Sequence, residues 1–113
     1  MSSLAVRARF EPIRTIAAAD IGSGLTMIGT ILVNAARQFY IFNGTDALLM
    51  FSTDGINNQF VLPSNGYMIN DLTSNKTQVH GLYLPTGGGL WVAQIGTPTT
   101  GSVYFTVMYG AEL

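Results

Sequence analysis

Apolar residues in this chain fall in short runs separated by clusters of Gly, Asn, Asp, Pro and Ser, a spacing that predicts strands joined by turns. The runs occupy residues 25–33, 39–42, 47–51, 59–62, 67–72, 79–84, 90–95 and 102–109. Gly29 marks a bulge in the first, and Gly81 interrupts the sixth. Most are close to the usual strand length of about 5–6 residues, and no long helical period competes with them. The expected fold is therefore all-β: a β-sandwich, taken as an eight-stranded jelly roll, with an immunoglobulin-like sandwich as the alternative. The latter lacks its Cys, Trp, Cys signature, since the chain has no cysteine.

Two of these runs flank Asn43-Gly44-Thr45-Asp46, and a turn of that composition between β-prone segments predicts a hairpin over residues 36–55. Alternation sends Phe39 and Ile41 to one face and Tyr40 and Phe42 to the other, so both faces of the ribbon are apolar. One face closes a core; the other calls for a second sheet or a neighbouring subunit. Tyr40, Phe42, Leu48 and Met50 are the candidate self-association residues, and a homo-oligomer is expected. The last run is two-faced as well, with Val103, Phe105, Val107 and Tyr109 against Tyr104, Thr106 and Met108.

Residues 1–20 differ from the rest. They carry Arg7, Arg9 and Arg14, three of the five cations, and Pro12 interrupts any helix beginning nearby. We read residues 1–20 as an extended N-terminal arm and 21–113 as the sandwich domain. Within the arm, residues 13–19 suit a short helix and a strand equally. Arg7, Arg9, Phe10, Glu11 and Arg14 are the candidate partner contacts, with Glu11 pairing an arginine across an interface.

Composition narrows the function classes. The 113 residues make one domain, of which 10% are charged and 48% hydrophobic, against about 25% charged in an ordinary soluble domain. A low-charge surface favours association. The net charge of -1 supplies no electrostatic reason to bind nucleic acid or an anionic membrane. Without cysteine there is neither a disulfide framework nor a thiolate metal site, which fits synthesis in a reducing cytoplasm. The first residues lack the pattern of a secretory signal, and no apolar run approaches the ~20 residues of a membrane span. A soluble product is expected.

Site chemistry is sparse. His80 is the only histidine, which excludes a histidine metal cluster or an imidazole relay. Asp54, Asn57 and Asn58 resemble a calcium loop in composition but lack its spacing and its glutamate, and read as a turn. Glu11, Asp20, Asp46, Asp54, Asp71 and Glu112 sit at predicted turns, arm or strand ends, where acids cap and solvate. No G-x-S-x-G occurs, and Gly87-Gly88-Gly89 leads into a strand without the Gly-Lys-Ser/Thr tail of a phosphate loop. The expectation is a non-enzymatic protein without cofactor or metal. A host-glycan platform on Trp91, with Asn57, Asn58 or Gln94, is the alternative from another class.

Several segments together carry a resemblance: Arg9-Phe-Glu-Pro-Ile-Arg14, Asn43-Gly-Thr-Asp46 with Phe51-Ser-Thr-Asp-Gly55, Asp71-Leu-Thr-Ser-Asn-Lys76, and Gln94-Ile-Gly-Thr-Pro-Thr-Thr-Gly-Ser-Val-Tyr104. The pattern resembles small virion proteins of tailed bacteriophages, most nearly the head decoration (cement) proteins of podovirus-type phages. That resemblance implies a subunit on the capsid surface that clamps neighbouring major capsid proteins. A tail or head-to-tail connector component is the alternative within virions. No active site is implied by either.

Overall fold

The computed structural model describes residues 6–71 and 84–112, with residues 6, 7, 111 and 112 described by their backbone. Within them the chain is almost wholly β. One antiparallel sheet contains β1 (Val6–Phe10), β2 (Arg14–Ala17), β4 (Gln38–Asn43), β7 (Tyr67–Asp71) and β9 (Ser102–Glu112). The other contains β3 (Thr26–Met27), β5 (Leu49–Ser52), β6 (Phe60–Leu62) and β8 (Trp91–Gln94). The two pack face to face as a β-sandwich. Phe39, Ile41, Val103, Phe105 and Val107 of the first sheet meet Leu49, Phe51, Leu62 and Val92 of the second in one buried cluster. Burying each such side chain stabilises the fold by about 1.5–3 kcal/mol.

The strand order reveals how the layers are connected. The first sheet runs β2, β9, β4, β7, with β1 continuing β2 along β9; the second runs β3, β8, β5, β6. Each strand of one sheet leads directly into its counterpart in the other: β2 to β3, β4 to β5, β6 to β7, β8 to β9. The sandwich is thus a single antiparallel sheet folded across one line.

This arrangement corrects the expected hairpin at residues 36–55. β4 pairs with β7 and β9, whereas β5 pairs with β6 and β8, so the two runs lie in opposite layers. Asn43 to Leu48 is a corner between sheets. The true hairpin tip is residues 53–59, between β5 and β6. The reason lies in the Asn43 side chain, which is fully buried and donates to the carbonyls of Ala47 at 2.9 Å, Leu62 at 3.0 Å and Pro63 at 3.1 Å. Its Oδ1 accepts from the Thr45 N–H and hydroxyl. Such a site consumes the amide's hydrogen-bonding capacity, and it ties the β4–β5 corner to the adjacent β6–β7 corner.

Residues 25–33 are likewise not one strand. Only Thr26 and Met27 pair, with β8, after which Ile28 and Leu32 are buried while Ile31 and Val33 stay exposed. The expected strand at 79–84, His80 and the loop at 73–78 lie outside the described residues, apart from Leu84, which bridges Ala36.

The expected arm is sheet over β1 and β2 and closes with a single 3-10 turn at Ala18–Asp20. β1 pairs with the C-terminal half of β9 and β2 with its N-terminal half. Glu11 still donates its N–H to the Val107 carbonyl, and Arg14 is opposite Phe105, which leaves Pro12 and Ile13 against Thr106 alone. Two residues opposing one make a β-bulge, where a proline without an N–H is tolerated.

Candidate functional site

The bulge decides where the arm's side chains go. In a regular strand Glu11 and Arg14 would face opposite sides; the extra residue turns both inward, and both are buried. Glu11 Oε1 accepts from Arg14 Nη2 at 2.7 Å, and Glu11 Oε2 from the Asn34 N–H at 2.7 Å, its side-chain amide at 2.8 Å and the Val33 N–H at 3.2 Å. Arg14 also donates to the carbonyls of Thr30 at 2.7 Å and Ile31 at 2.8 Å. Burial alone pushes the Glu11 carboxyl up, but the hydrogen bonds from Arg14, Asn34 and Val33 together hold it below the usual carboxylate range. The pair clamps the irregular segment at residues 30–34 onto the sheet. The expectation of Glu11 bonding across an interface is corrected: its arginine partner is in the same chain, because the bulge puts it there.

Arg9 and Phe10 remain exposed, while the Arg7 side chain lies outside the description. Phe10 belongs to a larger surface. On the outer face of the first sheet, the strand registers align three rows: Phe10, Met108, Gln38 and Asp71; Ile13 at the bulge, Thr106, Tyr40 and Ile69; and Thr15, Tyr104, Phe42 and Tyr67. Asp71 is the one charged residue in these rows. Phe42 stacks on Tyr104 with centroids 6.3 Å apart, and Phe10 approaches Tyr40 at the same distance. Tyr67 is 69% exposed and Ile69 61%. Ile13, Tyr40, Phe42, Tyr67 and Tyr104 line a shallow groove of about 310 Å3 on this face.

The expected self-association face of Tyr40, Phe42, Leu48 and Met50 is divided between the two sheets. Tyr40 and Phe42 lie on the outside of the first sheet. Met50, which alternates with the buried Leu49 and Phe51, lies on the outside of the second, and Leu48, exposed, immediately precedes β5. The corner at Asn43 carries the second run to the far layer. Conversely, Ile13, Tyr67, Ile69 and Tyr104, which are not among the expected self-association residues, join the aromatic face. Alternation in the runs at 67–72 and 102–109 carried that signal, but only strand pairing shows that they adjoin.

The remaining candidates resolve into structural roles. Asp54 Oδ1 accepts from the Ser52 hydroxyl and the N–H groups of Ile56 and Asn57, each at 2.8 Å, and Oδ2 accepts from the Asn57 amide at 2.9 Å. Those bonds, the Asn57 N–H foremost, hold its carboxyl well below the usual range. The calcium-like composition is the hairpin tip itself. Asp46 accepts from the Thr99 hydroxyl and from the N–H groups of Thr99 and Thr100, which lowers its carboxyl to about 2 and ties the corner to the β8–β9 connection. Trp91 is half-buried, with Gly55 so close that a methyl group there would sit 2.9 Å from the indole. Among the described residues no three His, Asp or Glu side chains gather where a metal ion could sit.

No protein family model, curated protein or solved structure matches this chain.

Proposed function

We propose that this protein is a non-enzymatic virion structural subunit that docks through the aromatic outer face of its larger sheet, binding the outside of a tailed-phage capsid and clamping neighbouring major capsid proteins. The observation that carries this reading is the uncharged aromatic surface built from Phe10, Ile13, Tyr40, Phe42, Tyr67, Ile69 and Tyr104. Monomeric soluble proteins rarely leave apolar patches larger than roughly 300–600 Å2 in water, and such patches mark interaction sites. Exposed aromatics also dominate the energetics of protein interfaces.

The strand order adds support. Sheets ordered β2, β9, β4, β7 and β3, β8, β5, β6, with each strand crossing to its counterpart, fit a jelly roll whose first strand carries the bulge. Jelly rolls recur in viral capsid proteins, although they also occur in lectins and enzymes, so the fold raises the virion reading without selecting it. The glycan-binding alternative has less support, because Trp91 is half-buried with Gly55 against its ring.

The test is a binding assay with capsids stripped of accessory proteins, followed by electron cryo-microscopy of the reconstituted particle. The expected map shows the aromatic face against the major capsid protein at every lattice position of one kind. Density confined to the tail or the head-to-tail connector, at about a dozen copies or fewer, would instead assign the connector role.

A further inference from the structure

We infer that the open cavity beside the Glu11–Arg14 pair is a second binding site, which holds an uncharged, extended polypeptide segment by an apolar side chain and a main-chain carbonyl. The cavity measures about 480 Å3 and lies between the bulge of the first sheet and the irregular segment at residues 29–34. Phe10, Pro12, Ile13, Val33 and Tyr109 give it apolar walls, and Arg14 also lines it. Ligand sites of about 300–1,000 Å3 are commonly built this way, mostly apolar with a few placed polar groups.

The placed polar group is the unused part of the Arg14 guanidinium. Nε and Nη2 donate to Thr30, Ile31 and Glu11, but Nη1 is buried and has no hydrogen-bond partner among the described residues. Such a nitrogen can only donate, and a buried donor left unpaired costs free energy until an acceptor reaches it. Glu11 decides what that acceptor is. Its carboxylate already neutralises the guanidinium at 2.7 Å, so a second carboxylate would leave the site with an unbalanced charge, whereas a carbonyl oxygen adds none. A polypeptide supplies carbonyls beside apolar side chains. The cavity is bordered by the exposed Pro12, Ile13, Thr30 and Val33, which leaves room for a chain to run through it. Ile13 also lines the groove on the aromatic face. That continuity makes the occupant a segment of the same protein that covers the face, a point that rests on the docking reading above. Because Nη1 is closed to solvent, the carbonyl reaches it through a side-chain movement of the wall, a change common at interfaces.

Two-dimensional amide NMR of the full chain tests the site with defined probes and no capsid. N-acetylleucine methylamide should bind with a Kd of roughly 1 mM and shift the amides of Thr15, Thr30 and Asn34, and a capped alanyl-leucyl-alanine should bind about tenfold more tightly. N-acetylleucine, the same body ending in a carboxylate, should bind about tenfold more weakly than its methylamide. Val33→Trp alters an exposed rim residue, leaves its N–H on Glu11 in place, and should abolish binding by filling the cavity. Arg14→Lys keeps a cation beside Glu11 but removes Nη1, and should weaken the methylamide about fivefold or more; where that variant fails to fold, Val33→Trp decides. Absence of shifts at those amides, tighter binding of the carboxylate, or undiminished binding to either folded variant would overturn the inference. Equal affinity for the methylamide and the tripeptide would overturn it as well, since it marks a site for a small amide rather than for a chain. A protein that takes the probes but not the capsid refutes the docking reading alone, and one that binds the capsid but not the probes refutes only this inference.

Discussion

Glu11 and Arg14 stand 2.7 Å apart on the inner side of one edge strand, although a spacing of three residues sends regular strand neighbours to opposite faces. The bulge at Pro12 and Ile13 reverses the alternation between them. A buried pair of this kind is a weak source of net stability, but losing one partner strands the other charge. Arg14→Met is therefore expected to cost about 3–5 kcal/mol in urea unfolding. Joint replacement of Glu11 and Arg14 by apolar residues should cost less than the sum of the single changes, because no charge is left stranded.

The same pair sets an acid response. The folded-state carboxyl of Glu11 is lowered from 4.5, so its stabilising effect is fully present above that value and is lost as pH falls through the lowered one. Asp46 acts in the same sense between its ordinary 3.8 and about 2. The urea midpoint should hold steady from neutral pH to about 5 and decline below. Glu11→Gln should lower the midpoint at neutral pH and flatten the upper part of that decline, whereas Asp46→Asn should flatten the lower part.

Gly101 and Gly87 have nearly the same backbone angle, φ +84 and +85, but different surroundings. A Cβ at Gly87 meets nothing within 4 Å, while one at Gly101 would sit 2.0 Å from the Gly44 carbonyl oxygen. Gly87→Ala should cost only the left-handed penalty of about 1–2 kcal/mol. Gly101→Ala must also push the β8–β9 connection off the Asn43 corner, and a loss of about 3 kcal/mol or more is expected from thermal or urea unfolding.

Asn43→Asp keeps the shape of the side chain but replaces an amide donor with oxygen that faces the carbonyls of Ala47, Leu62 and Pro63. The unfolding free energy should fall by about 3 kcal/mol or more. The variant's loss should also exceed that of Asp54→Asn at the exposed hairpin tip.

Substitutions on the aromatic face should separate folding from docking. Tyr67→Ser removes a side chain that is 69% exposed, and its unfolding free energy should stay within about 0.5 kcal/mol of the parent. Capsid binding should drop sharply, as for an interface aromatic worth about 2 kcal/mol or more. Phe42→Ser loses the stacking on Tyr104 too, and should cost a further 0.5 to about 1.5 kcal/mol of stability.

By itself the sequence determined the β class, six of the strands and their two-faced character, because side-chain alternation is a local property of each run. It also made clear that apolar surface exceeds what one core can use. Only the tertiary structure decided which runs adjoin. Asn43-Gly44 serves a hairpin and a corner equally well; the choice was made by carbonyls of Leu62 and Pro63, 19 and 20 residues away. The arm became sheet because β9 is long enough to hold β1 and β2 end to end, and no local pattern in residues 1–20 records the length of a strand that begins at Ser102. The face shared by Phe10, Tyr40, Phe42, Tyr67 and Tyr104 exists only through those pairings, since adjacency across a sheet depends on register rather than on any one strand's composition.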